Sequence, residues 1–380
     1  MSRCNRLGIN LRTILSVCVG LIILSFPAIS NAHHSAPPPS ITITVDDTVI
    51  TQLLKMIATH DDSPADIDAW VNLPGNKELI KVGDLEGQLT VAQLKGNVKA
   101  VIDGTATNIT QPLSYFGRVY IPSTSDYSAM LDELHKQSTS WLTECALRDA
   151  QFAPNGVTVK QTVYLHLGGD WDAINKDGAI YINMAYFHDN FSPSWSGLNL
   201  LIAHETFHAV QNQAFGNPES TFTADDAFMT ALSKIQREGT ARMVEVDTDS
   251  DGYTQGTYGF YFRGVDEEGL REFSSTMPLL SNLTQSCYPA LDLNIYQDQV
   301  TRGLDSGGPY YTLGEGIAMA IDKYAGRKRF IQTVSRGPLD FYDCYIKLCQ
   351  DHTDLPVLPS DTAAAIERLK AENYIVTPNR

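Results

Sequence analysis

His204, Glu205 and His208 lie in the run His204-Glu205-Thr206-Phe207-His208. On a helix this spacing puts both imidazoles on one face, one turn apart. Two neutral imidazoles so placed can bind one Zn²⁺, and the carboxylate of Glu205 beside them can act as base toward a metal-activated water. Leu200, Leu201 and Ala203 make the segment apolar, which directs the ion to the buried face of the helix. The bland alternative is a pair of histidines at the edge of a core with a surface glutamate.

A catalytic zinc site takes three protein ligands and keeps one position open. Phe228, Ala231 and Ile235 form a stripe at helical spacing downstream, and Glu238 continues it. A carboxylate aimed at a buried face needs a partner, and a metal ion is one. Gly239 and Ala241 are small and are expected to let this helix approach the His-Glu-x-x-His helix closely. Glu245 lies on nearly the same face and competes for the third-ligand role. A salt bridge from Glu238 to Arg237 or Arg242 is the structural alternative.

The elements that must position these residues are readable around them. Val157 to Leu167 alternates and is β-branched, which predicts a strand. Ala179 to Met184 predicts a second. A helix follows over about 196–215, stopped by Gly216. Another runs over about 224–246, with Thr223 as N-cap. Further helices are expected over 128–147, 313–324 and 327–335. Strands followed by helices imply an α+β fold.

His-Glu-x-x-His, followed about 30 residues later by Glu238-Gly239-Thr240-Ala241, resembles the gluzincin superfamily of zinc peptidases. The resemblance spans roughly residues 157–345 and is closest to zinc-dependent peptidases of bacteria. It implies a zincin-like fold, with a small mixed sheet packed on the His-Glu-x-x-His helix and a mainly helical C-terminal subdomain. It implies His204, His208 and Glu238 as zinc ligands and Glu205 as the base. It also implies that the strand over Ala179–Met184 lines the cleft and pairs with extended substrate. Tyr311-Thr312-Leu313-Gly314 is similar to a stretch of the aminopeptidase branch, in which the Tyr donates to the oxyanion. Tyr311 is the candidate on that ground, Tyr310 its adjacent rival, and His188 and Tyr258 are further options. The Gly-x-Met-Glu-Asn signature of that branch is missing, so an endopeptidase is expected. An aminopeptidase or dipeptidase, anchored by the Asp266-Glu267-Glu268 cluster, and a non-catalytic zinc-binding domain are the rivals.

The remaining features bound the setting. Arg3, Arg6 and Arg12, an apolar run over 14–26 and Ser30-Asn31-Ala32 read as a secretory signal over residues 1–32, which implies a secreted or periplasmic protein. Residues 33–40 read as a flexible mature start, 41–155 as a region without evident chemistry, 156–216 as the part bearing the His-Glu-x-x-His helix and 217–380 as the helical part bearing the third ligand. Residues 1–32 hold three arginines and no acidic residue, so their removal takes the formal charge from −16 to −19. No basic stripe exists to neutralise phosphates, which argues against nucleic acid as partner, and a peptide or protein substrate is what the resemblance implies. No later stretch reaches membrane-spanning length, so no stable membrane insertion is expected. Four cysteines remain after cleavage, and disulfides Cys145–Cys287 and Cys344–Cys349 are expected, with free buried thiols as the alternative. Asp247, Asp249 and Asp251 open a run like an EF-hand loop and are candidate Ca²⁺ ligands, although Tyr258 stands where the closing Glu belongs. A solvated acidic turn is the alternative.

Overall fold

The alternating run after Gly156 folds as strand β2 (Thr158–His166), with Val159, Gln161, Val163 and Leu165 buried. The computed structural model describes residues 36–85, 90–105, 124–166, 173–176, 178–184, 186–187, 197–216, 223–245 and 271–374. β1 (Ser40–Asp46) pairs with β2 in parallel, from Ser40 opposite Thr158 to Asp46 opposite Tyr164. β4 (Ala179–Asn183) runs parallel to β2 on its other side, and β3 (Ala173–Lys176) lies antiparallel to β4. The order is therefore β1-β2-β4-β3. Every residue of β4 is buried, as befits an inner strand. This corrects one expectation. The 179–184 strand has neighbours on both sides and its main-chain groups are taken, so the sheet edge beside it belongs to β3.

Helices α1 (Thr48–Thr59), α2 (Pro64–Val71), α3 (Pro74–Leu85) and α4 (Val91–Ile102) follow β1. Local chemistry starts them. Ser63 caps α2 ahead of Pro64, and Thr90 with Gln93 forms a capping box on α4. α5 (Thr124–Phe152) is longer at both ends than the 128–147 span read from sequence. A first core gathers β4, the second half of β2, and side chains of α1, α4 and α5.

Two helices carry the chemistry. α6 (Leu198–Ala214) starts at Gly197 and is followed by Gly216, both with positive φ, at 91° and 93°. Left-handed backbone at such ends favours glycine. α7 (Ala224–Glu245) is capped reciprocally: Asp226 N–H donates to Thr223 Oγ1, and the Asp226 carboxylate accepts from Thr223 N–H, both at 3.1 Å. Helices α8 (Pro278–Cys287), α9 (Leu293–Leu304), α10 (Pro309–Ala320), α11 (Arg327–Arg336), α12 (Pro338–Asp351) and α13 (Ser360–Ala371) follow, and α8, α10 and α12 pack against α7. Together with the second half of α6 they form a second core. α10 begins four residues before the expected Leu313, because Pro309 suits a first helical turn. It then passes into a π-helical turn, Ile321–Ala325. The protein is thus mixed α+β, mostly helical, with a small four-stranded sheet. No helix among the described residues is long and apolar enough to cross a membrane.

The expected disulfides do not form: Cys145, Cys287, Cys344 and Cys349 are free thiols. Cys145 belongs to the first core, where its thiol donates to the Asn199 carbonyl, whereas Cys287 belongs to the second. Cys344 and Cys349 share α12 five residues apart, which turns them about 140° from each other round the axis.

Candidate metal centre

α6 presents His204 and His208 side by side, with ring centroids 4.8 Å apart. Their Nε2 atoms are 3.2 Å apart, and Glu238 Oε2 from α7 lies 3.4 Å from each. Three ligand atoms therefore mark a nearly equilateral triangle, and His204, His208 and Glu238 form a group able to hold a metal ion. Bonds of about 2.0–2.1 Å at a tetrahedral centre put ligand atoms about 3.3–3.4 Å apart. The observed edges match that spacing and leave the fourth corner free of these three side chains.

The proton positions agree with the spacing. His204 Nδ1 meets the Glu245 carboxylate at 3.0 Å, and His208 Nδ1 meets Gln211 Oε1 at 2.9 Å. With both Nδ1 atoms donating, both Nε2 atoms turn lone pairs toward each other and toward a carboxylate. Three electron-rich atoms at such distances call for a cation between them. With no ion between these atoms a proton meets the same demand: burial opposes charge on His204, but its hydrogen bonds to Glu238 through Nε2 and to Glu245 through Nδ1 prevail and hold its pKa well above the ordinary histidine range. Burial likewise opposes charge on Glu238, and the two histidines outweigh it and hold that carboxyl well below the usual range. The residues fit a divalent ion with nitrogen and oxygen ligands, and this donor set suits zinc.

Glu245, the rival third ligand, sits behind His204 on the Nδ1 side, away from the triangle. It is fully buried, and Arg242 Nη1 lies 3.6 Å from it. Such a carboxylate orients a ligating imidazole and raises its basicity. The alternative partners of Glu238 are engaged elsewhere: Arg237 donates to Asn212 Oδ1 at 2.8 Å, and Arg242 reaches Glu245.

Glu205 is half-buried on α6, and its charge acts on both His204 and Tyr311. Tyr311, in the first turn of α10, stacks 6.4 Å from the His204 ring at 26°. Burial first, then the charges of Glu238 and Glu205, pushes its phenol well above the ordinary tyrosine range, so it remains a donor. The Arg242 guanidinium stands 5.7 Å from its ring centroid. Tyr310 points the other way into the second core, with its ring packed on Gly303. His188, Tyr258, the 266–268 cluster and the candidate calcium ligands Asp247, Asp249 and Asp251 lie outside the described residues.

Two partners of the site escaped the sequence reading. Gln211 stands three residues after His208, on the same helical face, and that spacing was the available signal. Arg242 was weighed only as a partner for Glu238.

No curated protein and no solved structure matches the chain. A family model matches residues 67–354, which covers the whole of α6, α7 and α10. The chain belongs to that family, DUF5700, described as a putative zinc dependent peptidase.

Proposed function

We propose that the chain is an exported zinc endopeptidase of the gluzincin type, with His204, His208 and Glu238 as ligands. The observation that carries this reading is the triangle of Nε2, Nε2 and Oε2 atoms with both Nδ1 atoms already engaged. When bound, zinc supplies the positive charge that acidifies water and polarises a peptide carbonyl. Glu205 accepts the proton of the attacking water and returns it to the leaving amine. Tyr311 donates a hydrogen bond to the carbonyl oxygen as negative charge gathers there. Glu245 and Gln211 keep the two imidazoles turned toward the ion.

Extended substrate would add to the edge of the sheet at β3. Asn175 of β3 donates its side-chain amide to the Glu205 carbonyl, which ties this edge to the helix bearing the base. A peptide paired there would run alongside α6. The missing Gly-x-Met-Glu-Asn signature supports internal cleavage, since no residue assigned in that way holds a free amino terminus. The basic start, apolar run and small-residue cleavage site support export, with maturation after Ala32.

The test is a peptide blocked at both ends. The zinc-loaded protein should cleave it internally. Glu205→Gln should retain zinc and lose nearly all cleavage. Turnover confined to peptides with free amino termini would move the protein to the exopeptidases, and full activity of Glu205→Gln would remove the base from the mechanism.

A further inference from the structure

Gln211 is buried and bonded at every polar position of its side chain. Its Nε2 donates to the Arg237 main-chain carbonyl at 2.8 Å and to Thr240 Oγ1 at 2.7 Å. The first contact fixes the amide. A carbonyl oxygen accepts only, so the atom facing it must be the NH₂ group. The other end, Oε1, then faces His208 Nδ1 at 2.9 Å and has no proton to give. His208 must supply it. Its proton is held on Nδ1, and its Nε2 lone pair is turned toward His204 and Glu238.

The chain of dependence runs from α7 back to α6. Arg237 and Glu238 are consecutive. The carbonyl of Arg237 sets the Gln211 amide, the amide sets the His208 tautomer, and the next side chain is the third candidate ligand. The two histidines are also held by unlike groups, a carboxylate at His204 and a neutral amide at His208. His204 therefore keeps an acceptor whichever Glu245 oxygen faces it, whereas a flipped Gln211 would present a donor to His208 and block it.

We propose that Gln211 is a positioning residue that makes His208 competent as a metal ligand, with its amide orientation dictated by the Arg237 carbonyl. This rests on the zinc reading above. It adds that docking of α7 onto α6 delivers one ligand and prepares another in the same step.

The test uses the full mature chain, zinc affinity measured by competition with a chelator, and thermal unfolding of the metal-free protein. Gln211→Met keeps length and bulk but removes the acceptor. Zinc affinity should fall about 10–100-fold, the usual consequence of losing the partner of a ligating histidine. Gln211→Glu restores an acceptor toward His208 while setting a second oxygen against the Arg237 carbonyl. It should lose stability yet bind zinc within about threefold of the wild type, and so at least several-fold more tightly than Gln211→Met. In the cobalt-substituted proteins, the visible spectrum of Gln211→Glu should resemble the wild type and that of Gln211→Met should not. A helix clamp without a role in ligation predicts no difference in affinity: both variants lose stability and both bind zinc normally. Wild-type affinity in Gln211→Met, or equal weakening in both variants, overturns the proposal and leaves the metal site standing. Absence of zinc binding by the wild type overturns both.

Discussion

Gly239 and Gly314 meet backbone to backbone where α7 crosses α10, so the glycine after Glu238 serves the approach of α10 and not, as expected, that of α6. A Cβ on Gly239 would stand 2.0 Å from the Gly314 carbonyl carbon, and one on Gly314 would stand 2.1 Å from the Ile235 carbonyl oxygen. Glu238 precedes the first glycine, and Tyr311 lies three residues before the second. The crossing therefore sets the distance between the third candidate ligand and the candidate oxyanion donor.

Gly239→Ala should force these helices apart, because the obstacle is main chain and cannot rotate away. Overpacking of this kind costs about 1–3 kcal/mol, and both thermal stability and zinc affinity should fall. Gly96→Ala is the control. Gly96 is exposed on α4 with open space at its Cβ position, so alanine there should raise stability by about 1 kcal/mol. Calorimetry of both variants with and without zinc decides the point. Normal zinc affinity in Gly239→Ala would show that the crossing does not set the site.

Elemental analysis should find about one zinc per chain, removable by a chelator with loss of activity. Glu238→Ala should abolish tight binding, since two imidazoles hold zinc poorly. Glu245→Ala should weaken it by about 10–100-fold, because His204 loses the acceptor on Nδ1. If Glu245→Ala proves the more damaging of the two, the ligand assignment is reversed.

Tyr311→Phe should lower kcat roughly a hundredfold, with KM and zinc content little changed, because the hydroxyl acts mainly once the carbonyl carries charge. Tyr310→Phe keeps its ring packed on Gly303 and should be near normal in kcat. Steady-state kinetics of both variants separate the neighbours, and equal activity would assign both rings to packing.

His166 ends β2 fully buried, and burial pulls its pKa down to about 3. In the unfolded chain it titrates near 6.5, to order of magnitude. Between these values the unfolded state binds the extra proton, so stability falls as pH drops from about 6.5 toward about 3, by up to about 1.4 kcal/mol per pH unit. Asp149 has the opposite sign. It is buried with neither carboxylate oxygen bonded, and burial raises its pKa well above the usual range. The native state holds its proton more tightly, so stability is lost as pH rises above about 4. Urea unfolding at several pH values should show a flatter acid limb for His166→Leu and a higher plateau near neutrality for Asp149→Asn. An unchanged acid limb in His166→Leu would exclude His166 as a source of acid sensitivity.

Sequence alone located α6 and α7 because apolar periodicity, Thr223 and Gly216 all act within a few residues of the elements they delimit. It aimed Glu238 inward because Phe228, Ala231 and Ile235 share its stripe, and all three are buried. The role of Glu245 was hidden by register. α6 and α7 run antiparallel, with His204 against Glu245 and Gln211 against Arg237 and Thr240. Which residue meets which Nδ1 depends on the sliding of one helix along the other, and no local pattern reports that. β1 joins the sheet beside a strand 118 residues away, and a pairing at that range leaves no local mark. The cysteine pairing failed for the same reason, since an even count says nothing about which core each thiol enters.

α6 is shared property. Leu198, Leu201, Ile202 and Ala203 belong to the first core, while Phe207 and Val210 belong to the second, and His204 stands at the changeover. A cation held between α6 and α7 would therefore act as a rivet where the two cores meet. Its presence should govern cooperativity as well as stability. Hydrogen exchange of the loaded protein should show amides of β4 and α7 opening together, and removal of the ion should let the second core open at lower free energy than the first.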